Sequence, residues 1–348
     1  MTPVLIVVGF LIVGFGVRSL IVKKAVQSSS AEDNATQESE DDSDGNFDGD
    51  AEDLPRESPD TEEDWEEQYH PFVGYPVEPA SVDEVKIRFP KGRAEHPHDD
   101  MVPIPAGEFI MGDDDIRASA PRQRRFLKAY EIDRYEVTNE QYRAFIKATE
   151  HRQPELVDSW ALDYSWREQE FPTGTGSQPV VLVSYDDARA YCNWGGKRLP
   201  TEQEWEKAAR GTQGHRYPWG PGWDGRNAHT VERFSGPLTT VEDWQNFLEN
   251  FDEDMEIHPF DVGSYPQDVS SFGVMDLHGN VSEWVDGAFL VYEDGDEEAS
   301  PLFGRTDIAV VRGNSFVNRD YAAPASVRYP FKKTHRETNI GFRCARDL

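Results

Sequence analysis

The chain alternates between stretches that can bury side chains and stretches that cannot. Pro3 to Val17 carries no charge, and Leu20-Ile21-Val22 extends the apolar run past Arg18 and Ser19. Residues 3–22 at 1.5 Å per helical residue match a bilayer core. Lys23 and Lys24 then mark the headgroup level, and Arg18 can snorkel towards it. No basic n-region precedes the run and no small-x-small site follows it, so residues 1–24 read as an uncleaved anchor rather than a signal peptide. The apolar pattern then disappears until about residue 98. Within that gap, Phe72, Tyr75 and the alternating Val85-Lys86-Ile87-Arg88-Phe89 are the segments able to pack onto a domain.

From Met101 onward the periodicity returns. Met101 to Pro105 and Gly107 to Gly112 read as two short strands around a turn, and Lys128 to Tyr135 alternates again. Three helices are marked by capping boxes: Thr138 with Gln141, Ser184 with Asp187, and Thr201 with Glu204, each followed by apolar residues at helical spacing. Gly211 is placed to end the third. Few long helices and many Gly-, Pro- and Trp-rich turns predict a compact α+β domain over 98–348, with no doubly wound sheet.

Charge sharpens the division. The net charge is -31, and Ala31 to His70 alone holds eighteen Asp or Glu against Arg56. Such a composition does not offset the entropy of ordering, so 25–97 is expected to be a disordered acidic linker. Nucleic acid is excluded as a partner, because phosphate binding needs clustered Lys and Arg. The nearby positive charges, Arg18, Lys23 and Lys24, all follow the span, which by the positive-inside rule places the domain in the cytoplasm. No glycine stretch has the strand-turn-helix setting of a phosphate loop. No pair among His215, His229, His258, His278 and His335 has the i, i+4 spacing of helical metal ligands. Cys192 and Cys344 are the two cysteines, and spacing leaves them open as buried thiols, a disulfide or metal ligands.

The run Gly196-Lys197-Arg198-Leu199-Pro200-Thr201-Glu202-Gln203-Glu204-Trp205-Glu206-Lys207-Ala208-Ala209-Arg210-Gly211 closely resembles the diagnostic segment of the sulfatase-modifying-factor, or formylglycine-generating enzyme, family. Four further segments follow the family order: Met101 to Gly112; Glu136-Val137-Thr138-Asn139 with Tyr142 and Phe145; Asp276 to Trp284; and Arg312-Gly313-Asn314-Ser315-Phe316, with Gly341-Phe342-Arg343-Cys344 closing the chain. The resemblance implies an irregular C-type-lectin-like fold with little regular secondary structure. It also implies a structural pairing of Cys192 with Cys344, which an oxidising compartment would favour against the charge-based orientation.

Formylglycine-generating enzymes hold copper on two cysteines downstream of a Gly-Gly-Ser motif, because thiolates suit Cu(I). Asn318 and Ala323 stand at those positions here, and Ser282 replaces a family Trp. No copper and no catalytic residue is therefore expected, and Ser315, Asn318, Trp284 and Ser282 become candidates to line a ligand groove. The resemblance further implies calcium ligands: Asp276, Glu283 and the carbonyls of Gly279 and Val281. A second set comprises Asn227, Ala228, Asp254 and Glu256. Hard oxygen donors of this kind suit Ca²⁺. Two functions compete. One is a membrane-tethered, calcium-stabilised module that binds a peptide, glycan or protein. The other is a divergent oxidoreductase using another metal or substrate.

Overall fold

The computed structural model describes residues 100–238, 240–250, 257–318 and 322–348. The expected anchor at 3–22, the linker at 25–97, and Asp254 and Glu256 lie outside the described residues. No helix among the described residues is long and apolar enough to cross a membrane.

Capping decides the helices. Thr138 accepts from the Gln141 amide while Gln141 accepts from the Thr138 amide, and helix α1 (Asn139–Thr149) follows. Ser184 and Asp187 start α2 (Tyr185–Trp194) in the same way. Thr201 and Glu204 start α3 (Glu202–Arg210), which Gly211 ends at φ +65°. Each box satisfies amides that the first helical turn cannot pair internally. A short helix α4 (Glu232–Ser235) and a fourth box, Thr240 with Asp243, opening α5 (Val241–Glu249), lie in a stretch where the sequence pattern pointed to loops.

The two strands expected at the start are present, as β1 (Met101–Ile104) and β2 (Gly107–Met111), but they do not pair with each other. β1 lies antiparallel to β4 (Tyr130–Asp133), which also pairs with β9 (Ala345–Asp347). β2 pairs with β3 (Gln123–Leu127). A four-stranded sheet runs in the order β7 (Arg328–Lys332), β6 (Ile308–Arg312), β5 (Ser282–Ala288), β8 (Ile340–Phe342), with β5 and β8 parallel. β6 is buried along its whole length and reads as an unbroken apolar run until Arg312.

The main core joins α1, α2 and this sheet through Tyr142, Phe145, Trp166, Trp284 and Phe342. Cys192 on α2 and Cys344 after β8 are fully buried within it and joined by a disulfide, with Cα atoms 5.7 Å apart across a separation of 152 residues. Beside it, Arg312 forms a buried ion pair with Glu206 at 2.5 Å, and Glu206 also pairs with Arg210 at 2.5 Å. This network ties α3 to β6. A residue buried as a charge is tolerable only when so paired.

Candidate functional site

The turn after β6 sets the first cluster. Gly313 adopts φ +77°, and a Cβ there would meet the Trp205 ring at 3.1 Å, so the chain needs glycine at this point. The turn brings Asn314 and Ser315 beneath Asn318. Ser315 is fully buried, and its hydroxyl donates to Asn318 Oδ1. Asn339, one residue before β8, donates to Ser315 Oγ at 2.9 Å and to Asn318 Oδ1 at 3.3 Å. Asn318 donates in turn to Asn314 Oδ1 at 3.4 Å, an oxygen that also accepts from the Tyr329 hydroxyl at 2.8 Å. Asn314 Nδ2 lies 3.2 Å from His278 Nε2 and 3.4 Å from the Ala323 carbonyl. Asn318 and Asn339 are half-buried, so the cluster meets solvent through its amides.

Ser282 sits under this cluster rather than in it. Its hydroxyl donates to the Gly313 carbonyl at 3.0 Å and its amide to the Asn339 carbonyl at 2.9 Å, which fixes the two loops together. Trp284 departs from the groove expectation. It is fully buried in the main core, and its indole N–H donates to the Val183 carbonyl at 3.0 Å, because β5 turns this residue towards α2. Ala323 is buried against Ile116 and Val327, so an apolar contact stands where the family resemblance implied a second thiol.

The cluster's chemistry follows from its atoms. It contains amides, two hydroxyls and one imidazole. The Ser315 hydroxyl donates to an amide oxygen, which cannot remove its proton, so the serine is not an activated nucleophile. Both cysteines are consumed by the disulfide, leaving no thiol for soft-metal chemistry. The arrangement can exchange hydrogen bonds with an uncharged ligand.

The second cluster is anionic. Asp276, Glu283, Glu136 and Asp268 are each at least 97% buried, and the Arg343 guanidinium lies among them. Arg343 donates to both Glu283 oxygens at 2.8 Å and to the carbonyls of Met275 and Asp276 at 2.9 and 3.2 Å. Glu283 Oε2 also accepts from the Trp205 indole at 2.9 Å. Asp276 Oδ2 accepts from the Gly263 amide at 2.5 Å, and Glu136 Oε1 accepts from Asn280 at 3.2 Å. Burial, opposed by that amide and by Arg343, pushes Asp276 up to about 6. Burial and then the Asp276 charge raise Glu136 well above the usual carboxylate range, and the same two causes act on Asp268. Glu136 and Asp276 hydrogen-bond each other when one of the two carries a proton, and Asp268 Oδ1 is buried without a hydrogen-bond partner. Carboxylate oxygens left so are costly unless protonated or met by a cation.

The loop around these acids is tightly set. Asp276 and Asn280 both have φ +54°, and a Cβ on Gly279 would strike the His229 carbonyl at 2.5 Å. The donor set fits a hard cation in part. Asp276 and Glu136 offer oxygens, whereas Glu283 is already held by Arg343. Among the described residues no three His, Cys, Asp or Glu side chains form a metal site by themselves, so backbone carbonyls would have to complete it. In the second expected set, Asn227 is half-buried and Ala228 fully buried, while their acidic partners lie outside the described residues.

Asn339, Tyr329 and Asp268 carry no local signal for these clusters in the sequence, whereas His278 and Glu136 lie in motif segments without a pattern that assigns them to a site.

A family model described as "Sulfatase-modifying factor enzyme 1-like domain" matches residues 87–348. The formylglycine-generating enzyme of Bos taurus is 30% identical over 301 residues, covering 74% of this chain and 77% of that protein. The inactive C-alpha-formylglycine-generating enzyme 2 of Bos taurus is 32% identical over 286 residues, covering 70% and 87%. Among solved structures, PvdO from Pseudomonas aeruginosa aligns with a TM-score of 0.53 at 27% identity, over 71% of this chain and 94% of that one.

Proposed function

The chain belongs to the sulfatase-modifying-factor family, and on that premise we propose that it is a membrane-tethered binding module that does not make formylglycine. The observation that carries this is the fate of its two cysteines. They are joined in the core, while Asn318 and Ala323 occupy the positions that resemble the copper ligands. A similar protein described as inactive supports the same reading, since it matches as well as the formylglycine-generating enzymes do.

The Ser315–Asn318–Asn339 cluster is the ligand site in this proposal. Its half-buried amides suit the carbonyls, amides or hydroxyls of a peptide, glycan or protein loop. Calcium would be held by Asp276 with Glu136 and the carbonyls of Gly279 and Val281, where its charge offsets the crowded carboxylates. Residues 3–22 would provide the tether. The Cys192–Cys344 bond would persist in an oxidising compartment, which favours placing the domain there against the orientation suggested by Lys23 and Lys24.

Cu(I) titration against a competing chelator tests the core of the proposal. The unaltered protein is expected to leave the chelator's copper in place. A variant carrying Asn318→Cys and Ala323→Cys, which puts thiols back at the positions the family resemblance gives to the copper ligands, is expected to take one copper. Stoichiometric, tight Cu(I) binding by the unaltered protein would sink the reading.

A further inference from the structure

Three of the six exposed large apolar side chains among the described residues, Phe126, Leu290 and Leu348, line one cleft of about 870 Å³. They are 65%, 53% and 72% exposed. Asp286 and Asp347 lie at its walls. β3, which supplies Phe126, pairs with β2 alone among the described residues, so its outer edge offers backbone donors and acceptors. An open edge beside a grouped apolar patch is the geometry that accepts an added strand.

We propose that this cleft is the docking site of the chain's own segment Val85-Lys86-Ile87-Arg88-Phe89. Three observations favour this occupant. The segment alternates apolar and basic residues, so as a strand it would turn Val85, Ile87 and Phe89 to one face and Lys86 and Arg88 to the other. The first face matches Phe126, Leu290 and Leu348, whereas the walls carry both signs, Asp286, Glu293 and Asp347 with Arg125 and Lys128, so the apolar face sets how the segment lies. The family match begins at residue 87, inside this segment and well before Asp100, so the domain's own sequence starts there. Reach is sufficient. Ile104 lies opposite Tyr130, next to the cleft residue Ala129, so Asp100 is roughly 13 Å further along the β1 direction. Residues 89 to 100, when extended, span up to roughly 36 Å. Docked, the segment would cover the edge of β3 and fix the acidic linker's exit point on the domain.

Trypsin digestion of the full-length protein in detergent micelles tests this. Lys86 and Arg88 lie in the segment, and Arg93 lies just outside it as an internal reference. Cleavage after Lys86 and Arg88 is expected to be at least tenfold slower than after Arg93. The rates should become equal in Leu290→Asp, in Phe126→Asp and in Ile87→Asp; the first two replace exposed side chains and leave the core intact. Equal rates in the unaltered protein overturn the proposal. So does protection that survives both cleft substitutions, or protection lost on dilution, which would assign the cleft to a second copy.

Discussion

Removing the Cys192–Cys344 bond should destabilise the domain without unmasking activity. The bond closes a loop of 152 residues, and loop-closure entropy assigns such a crosslink about 5 kcal/mol, with measured values more often 2–5 kcal/mol. For a domain of this size each kcal/mol moves Tm by roughly 2–4 °C, so the double variant Cys192→Ala, Cys344→Ala should melt roughly 10 °C lower. Both residues are fully buried among Tyr142, Trp284 and Phe342, so lost packing adds to the entropy rather than offsetting it. The assay is a thermal melt of the full-length protein with and without reductant, alongside alkylation of the denatured, unreduced chain. The expected result is no alkylated thiol before reduction, two after it, and a Tm drop in the reduced protein that the double variant, which also loses packing, equals or exceeds. An unreduced chain that alkylates at both cysteines, or a Tm indifferent to reductant, would refute the reasoning.

Chelation of calcium should lower Tm by several degrees, since a cation at a hundred times its Kd contributes about 2.7 kcal/mol; Asp276→Asn should abolish the difference between chelated and calcium-loaded melts. Arg343→Met should cost about 3–5 kcal/mol, because it strands Glu283 beside three other buried carboxylates; urea unfolding measures it, and a loss under 1 kcal/mol would contradict the pairing. His229 is buried and held down to about 4, so the unfolded chain takes up a proton first as the pH falls. Its contribution is intact above about pH 6.5 and is lost between about 6.5 and 4, by up to about 3 kcal/mol; His229→Gln should flatten the acid limb of a Tm–pH curve by that amount.

The helices were legible because their signals are local. Thr138, Ser184 and Thr201 each declare a start by a partner three residues on. The fourth box, Thr240 with Asp243, has the same form but lies in the half of the domain where Gly-, Pro- and Trp-rich turns dominate the pattern. Pairing was not legible. β1 and β2 are neighbours in sequence, yet each finds its partner elsewhere, at Tyr130–Asp133 and Gln123–Leu127. The site was partly legible for the same reason. Ser315 and Asn318 fall in one motif, whereas Asn339 reaches them from 21 residues beyond Asn318. Glu136 meets Asn280 across 144 residues, and no local pattern announces that contact. Trp284 shows the converse: its motif suggested the groove, but the direction of its side chain is set by the core that β5 and α2 enclose.

We propose that the chain does not carry out copper-dependent formylglycine formation. The most direct test is to incubate the full-length protein with Cu(I), oxygen and a cysteine-containing sulfatase-type peptide, and to measure aldehyde product by mass spectrometry and oxygen uptake by electrode. With Asn318 and Ala323 in place of thiols and both cysteines bonded in the core, neither aldehyde nor oxygen consumption above the no-protein control is expected. Formylglycine produced over repeated turnovers would contradict the account.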